Sequence, residues 1–122
     1  MDLAGLYAWC HLPWECGETP FWEGQTVVVG GFLDSDNIFF HTRYPNLPYE
    51  KFTVCDGEGQ SLEVWPQTPD NKQLYGSIVN RPGDRIIVRG RLRSIKKPVG
   101  ETCTLGVKMV IDDANQIQFI AD

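Results

Sequence analysis

The spacing of apolar positions along the 122-residue chain divides it into an irregular start and a longer body. Over the first residues, Leu3, Leu6, Tyr7, Trp9 and Cys10 offer an apolar face for one or two helical turns, broken by Pro13. Trp14, Phe21 and Trp22 follow among Glu15, Gly17, Glu18 and Pro20, a mixture that reads as an irregular arm. Tryptophans in so short and polar-broken a segment need burial. Residues 1–23 are therefore expected to pack as an arm over one end of a main domain, residues 24–122.

From Gly24 the pattern becomes that of strands. Thr26 to Leu33 is valine-rich and contains Gly30-Gly31, which predicts a bulge or sharp coil within the strand. Asp34 to Asn37 reads as a turn, and Ile38 to Tyr44 as its continuation up to a proline-punctuated loop. In Lys51–Cys55, Phe52 and Val54 point one way and Lys51, Thr53 and Cys55 the other. The Asp56–Gln60 loop has two glycines for positive φ. The chain then returns with Leu62 and Val64 inward, Glu63 and Trp65 outward. Pro66 and Pro69 end that strand. Asp70 is the expected N-cap of a short helix whose apolar side holds Leu74 and Ile78. The cleanest alternation runs from Arg85 to Arg93: Ile86, Val88 and Leu92 lie on one face, Arg85, Arg89, Arg91 and Arg93 on the other with Ile87. Leu105, Val107, Met109 and Ile111 line one side of a last long strand, and Ile117 to Ile120 form a terminal addition.

Three strands, a helix, then two strands is a succession that resembles the OB-fold, a five-stranded Greek-key β-barrel. Three stretches carry the resemblance to tRNA-anticodon-type and replication-protein-A-type OB domains. They are Gly24–Leu33 as opening strand, Phe52–Gly59 as a second strand ending in an Asp-Gly turn, and Gly83–Leu92 as a Gly-Asp turn followed by strand four. The resemblance covers about residues 24–120. It implies an all-β barrel with one helix between strands three and four. It also implies binding of single-stranded nucleic acid, oligosaccharide or protein on strands two and three, flanked by the loops joining strands one and two and strands four and five.

Charge adds a second contrast. The net charge of −5 argues against bulk attraction to polyanions. Yet residues 1–80 hold three basic side chains against eleven acidic ones, while residues 81–97 hold seven against Asp84 alone. A single-strand binder needs cations for phosphates and aromatic faces for bases. The candidates are Arg43, Tyr44, Tyr49, Lys51, Trp65, Arg89, Arg91, Arg93, Lys96, Lys97 and Lys108, with Phe39 beside them. Arginines repeated on one strand face repel one another, and nearby acids look too few to neutralise them all, which favours a ligand. Cross-strand pairing with Glu63 or Asp112 is the alternative. Trp65 is either a stacking platform or covered by the arm.

The remaining chemistry narrows little. Cys10, Cys16, Cys55 and Cys103 form no CxxC; free buried thiols are the ordinary reading, with a Cys10–Cys16 disulfide open if the protein is exported. Cys10, His11 and Cys16 could supply three zinc ligands, with His41 or another cysteine as a fourth, but the cluster lacks a recognisable second half, so no metal and no cofactor is expected. His11 and His41 have no evident nucleophile partner, and no P-loop, Gly-x-Ser-x-Gly or strand-borne GxGxxG occurs. The sequence thus points to a non-catalytic binding module. Its partner is either single-stranded nucleic acid, held weakly and salt-sensitively, or a protein met through the acidic surface. Apolar runs are too short for a membrane span, and the acidic start lacks the regions of a signal peptide; the compartment stays open between the cytoplasm, slightly favoured, and export with a removed leader.

Overall fold

The structure, a computed structural model, describes residues 1–120. Its elements are α1 (Leu3–Cys10), β1 (Trp14–Glu15), β2 (Thr26–Phe39), β3 (Lys51–Cys55), β4 (Ser61–Pro66), α2 (Lys72–Ile78), β5 (Arg85–Val99), β6 (Thr102–Ile111) and β7 (Ile117–Phe119). The strands form one sheet in the order β1-β6-β4-β3-β2-β5-β7, and β5 also pairs with β6. Five strands, β2 to β6, therefore close into a ring. The other two extend it, so the sheet has seven strands where five were expected. The added β1 comes from the arm and lies beside β6, with Trp14 opposite Leu105. Within the ring all pairs are antiparallel except β4 with β6, where Val64 faces Met109.

Two long strands make closure possible because each changes partner along its length. Strand β2 pairs with β5 from Thr26 to Phe32 and with β3 from Phe32 to Phe39. It turns at the expected glycines. A Cβ on Gly31 would stand 2.7 Å from the Cys55 carbonyl oxygen, closer than any side chain tolerates. Asp34–Asn37 is not a separate turn: β2 continues through it as a register irregularity between Leu33 and Ile38, with Asp34 accepting from the Asp36 N–H and the Asn37 amide. The strand then ends at Phe39, short of the expected Tyr44. Strand β5 pairs with β2 up to Arg91 and with β6 from Arg91 to Val99. Gly90 allows that crossover, since a Cβ there would meet Met109 at 2.6 Å.

Alternation sets the core. Phe52, Val54, Leu62, Val64, Ile86, Val88, Leu92, Val107 and Met109 are each at most 7% exposed. The arginines of β5 face outward, as the two-residue period requires. The core is shared with both helices: Leu3, Leu6 and Cys10 of α1 and Leu74 and Ile78 of α2 belong to one cluster with the ring. Asn71, not Asp70, caps α2, its side chain accepting from the Leu74 N–H. Asp70 lies at φ 60° and its carboxylate turns to His41 instead.

The arm is tied by a buried tryptophan and by a disulfide. Trp22 is fully buried, and both its indole N–H and that of Trp14 donate to the Cys10 carbonyl at 3.0 and 2.8 Å, satisfying an end group of α1 that the helix leaves open. A disulfide joins Cys16 to Cys103 across 87 residues, a pairing that departs both from the expected free thiols at these positions and from the alternative Cys10–Cys16 bridge. Cys10 and Cys55 are free thiols, and burial pushes Cys10 up to about 11.

Candidate functional site

On β3, β4 and β6, Lys51 reaches over the Trp65 ring, and the cross-strand registers place Trp65 beside Val110, which pairs with Arg91. Rings and cations from this row and the β2–β3 loop touch in succession. Arg43 lies 5.9 Å from the Tyr44 ring centre, Tyr44 5.9 Å from Phe39, Phe39 6.3 Å from Tyr49, and Tyr49 5.7 Å from Trp65. Lys51 sits over both Tyr49 and Trp65 at 4.9 and 5.7 Å, and Lys108 over Trp65 at 4.0 Å. Six of the predicted site residues therefore meet in one strip. Phe39 joins them because β2 pairs it directly with Lys51.

Glu63 organises the middle of the strip. It accepts from Lys51 Nζ at 2.7 Å and from the Trp65 indole N–H at 3.1 Å. Burial pushes its carboxyl up, but these two bonds and the nearby Lys51 and Lys97 charges outweigh burial and hold it below its ordinary value. Trp65 is half-buried beneath Lys108 and Tyr49, not beneath the arm. A base would need Lys108 to swing away before it could stack.

The remaining predicted residues lie along β5, beside the strip, where Arg93 pairs in register with Lys108. Arg91 meets Asp112 at 3.1 Å, and Arg93 meets Glu23 of the arm at 3.7 Å. Glu23 is held in place by the Ser94 backbone N–H at 2.7 Å. The expected shortage of acids thus fails for Arg91 and Arg93. Asp112 was a foreseeable partner, whereas Glu63 turns to Lys51. Arg89, Lys96 and Lys97 are exposed and make no ion pair among the described residues.

Two other features lie outside the strip. A cleft of about 650 Å³ is lined by Met1, Gly30, Phe32, Asp56, Arg85 and Ile120 among others, and by none of the predicted site residues. His41, Glu50 and Asp70 bring ligand atoms within 4.8 Å of one another. Their polar atoms are already engaged: His41 Nδ1 meets Asp70 and Nε2 the Leu47 carbonyl, each at 2.9 Å, while Glu50 accepts the backbone N–H of His41 at 2.8 Å and of Asp70 at 2.5 Å. Sequence reasoning passed over Glu50, although a glutamate directly before an apolar-alternating strand and only 6% exposed must have such partners. The cysteine–histidine set is not assembled, because Cys16 is in the disulfide and Cys10 is buried at the end of α1.

No family model and no curated protein matches the chain. Among solved structures it is similar to that of OBody NL8 bound to hen egg-white lysozyme, with 20% identity, a TM-score of 0.55, and coverage of 81% of this chain and 97% of that one. At that identity the likeness concerns the fold alone. Among the described residues, no helix is long and apolar enough to cross a membrane.

Proposed function

We propose that the chain is a non-catalytic binding module of the OB type, using the Arg43–Tyr44–Phe39–Tyr49–Trp65–Lys108 strip to hold a protein partner. The five-strand ring, with its parallel β4–β6 pair and helix between β4 and β5, agrees with that fold. The strip lies where OB domains bind, on strands two and three with the loop between strands one and two, here β3, β4 and the β2–β3 loop. One observation favours protein over nucleic acid: Arg91 and Arg93 already have carboxylate partners, which interrupts the basic track between the unpaired Arg89 and the unpaired Lys96 and Lys97. Tyrosine, tryptophan and arginine are also the side chains enriched at protein interfaces. The Cys16–Cys103 bond agrees with an oxidising compartment. The lysozyme held by the similar structure is a protein partner on a similar fold. Lys108 and Arg43, which make no ion pair among the described residues, favour a partner segment carrying carboxylates between apolar side chains.

A second reading keeps single-stranded nucleic acid as the ligand, because four aromatic rings flanked by cations are what base stacking requires. One set of measurements separates the two. Peptides selected from a random display library on the wild type should be enriched in acidic and aromatic residues and should lose binding to Trp65→Ala. Short oligothymidine and oligouridine should show no anisotropy change at high micromolar protein. Oligonucleotide binding with a salt slope that flattens by about 0.7 per phosphate contact removed in Arg91→Ala would establish the nucleic-acid reading instead. Peptide binding untouched by Trp65→Ala would remove the strip from the site.

A further inference from the structure

The loop that carries Tyr44 and Tyr49 into the strip is held at its base by one imidazole. His41 follows directly after β2 and the buried Phe40. Its Nε2 points at the Leu47 carbonyl and its Nδ1 at the Asp70 carboxylate. A carbonyl and an ionised carboxylate can only accept, so both contacts are hydrogen bonds only when both ring nitrogens carry a proton. Glu50 adds a second carboxylate 3.8 Å from Nδ1 and is itself fixed by the backbone N–H groups of His41 and Asp70. Among the described residues, the charged groups acting on His41 are thus Asp70, ahead of α2, and Glu50, ahead of β3. Asp70 holds a left-handed φ of 60°, a conformation its partners must maintain.

We infer that His41, Asp70 and Glu50 form a proton-operated latch on the β2–β3 loop: doubly protonated His41 ties Leu47 to Asp70, and loss of either ring proton releases one of those two ties. A neutral ring must turn a lone pair toward the Asp70 carboxylate or toward the Leu47 carbonyl. Either arrangement is repulsive. The Asp70 hydrogen bond is the main influence raising His41 above its ordinary value; partial burial opposes it, and Glu50 and the Leu47 carbonyl add to the rise. The sign follows. A group with a raised folded pKa contributes fully below its unfolded value of about 6.5 and loses that contribution as pH climbs through the folded one. The latch is closed in mild acid and opens toward alkaline pH, within the range where histidine acts as a switch.

The opening moves the loop, whatever the strip binds. That it also tunes binding rests on the proposed role of the strip. The test is an NMR titration of the full chain, following the His41 ring together with the backbone amides of Leu47, Tyr49 and Glu50. The loop amides should shift with the same midpoint as the His41 ring. Asp70→Asn, which retains tolerance for positive φ, should lower that midpoint and carry the loop transition down with it. His41→Gln should show the open-loop amide positions at all pH values and no transition. Because the Asp70 side chain is 70% exposed, the asparagine variant tests the latch even where the glutamine variant fails to fold. Loop amides with a midpoint unrelated to His41, or a His41 midpoint unmoved by Asp70→Asn, would overturn the latch. Selected peptides should bind more tightly at about pH 6 than at about pH 8 in the wild type, with the difference lost in His41→Gln. An intact NMR transition beside pH-independent peptide binding would retain the latch and reject the strip as the face it governs.

Discussion

The cations of β5 and those of the aromatic strip stand in different company. Arg91 and Arg93 face carboxylates brought from elsewhere in the chain: Asp112 from beyond β6, Glu23 from the arm. Lys108 lies over the Trp65 ring and makes no ion pair among the described residues, while Lys51 divides its contacts between Glu63 and two rings. An incoming anion must displace a resident carboxylate on Arg91 or Arg93, but at Lys108 it competes only with a ring quadrupole. The densest run of positive charge in the sequence is therefore partly neutralised within the chain, at Arg91 and Arg93, while Arg89, Lys96 and Lys97 make no ion pair among the described residues. What lies across from a charge in space decides its availability, and Glu23 and Arg93 are 70 residues apart in the chain.

The disulfide offers the largest perturbation of that contrast, because it anchors the arm that supplies Glu23. Replacing Cys16 and Cys103 with serine should lower stability by about 2–5 kcal/mol, the usual cost of losing a native bridge from a small domain. Urea melts of the variant and of reduced wild type should agree. The Arg93 side chain should lose its fixed environment, while the Trp65 indole N–H resonance, bonded to Glu63 within the ring, should stay in place. A shifted Trp65 signal would mean that the arm supports both faces.

How much of this was legible in the sequence follows from the range of each interaction. The inward positions of β3, β4 and β5 were readable because alternation is local and every second side chain declares its face. So were the glycine bend of β2 and the helix between β4 and β5. The Cys16–Cys103 pairing was not, since it needs the register between arm and β6, which no local pattern encodes. The cap of α2 was misplaced by one residue because Asp and Asn serve equally well as caps. What separates them is the histidine 29 residues earlier that takes the aspartate away. At the strip, the outward direction of Trp65 was readable, whereas its cover by Lys108 depends on β6 running parallel to β4.

A smaller effect is expected where Lys108 meets Trp65. A double-mutant cycle with Lys108→Met and Trp65→Leu should give a coupling of about 0.5–1 kcal/mol, the range for exposed cation–ring contacts, and it should fall only slightly in salt. Methionine keeps the apolar stem over the ring, so the cycle reads the charge and not the packing. A coupling near zero in urea melts would make Lys108 a passing neighbour and leave the Trp65 face open to a stacked ligand.

The smallest effects belong to the arginine pairs, and they discriminate between two views of β5. Exposed ion pairs contribute about 0.2–1 kcal/mol, and many contribute nothing measurable. By distance alone Arg91–Asp112, at 3.1 Å, should outrank Arg93–Glu23, at 3.7 Å. The surroundings argue the reverse. The Glu23 side chain is 25% exposed and already fixed by the Ser94 N–H, so little freedom is lost when Arg93 approaches it; Asp112 is 58% exposed and ordered mainly by its neighbours in the turn. Cycles with Arg93→Ala/Glu23→Gln and Arg91→Ala/Asp112→Asn should therefore show the larger coupling for the arm pair, with the Asp112 pair fading first as salt is raised past the point where screening reaches ion-pair distances. Glutamine at 23 retains an oxygen for the Ser94 N–H, so the arm stays docked while its charge is removed. Equal couplings that vanish together in salt would place both pairs in open solvent, and β5 would then be available to a polyanion after all.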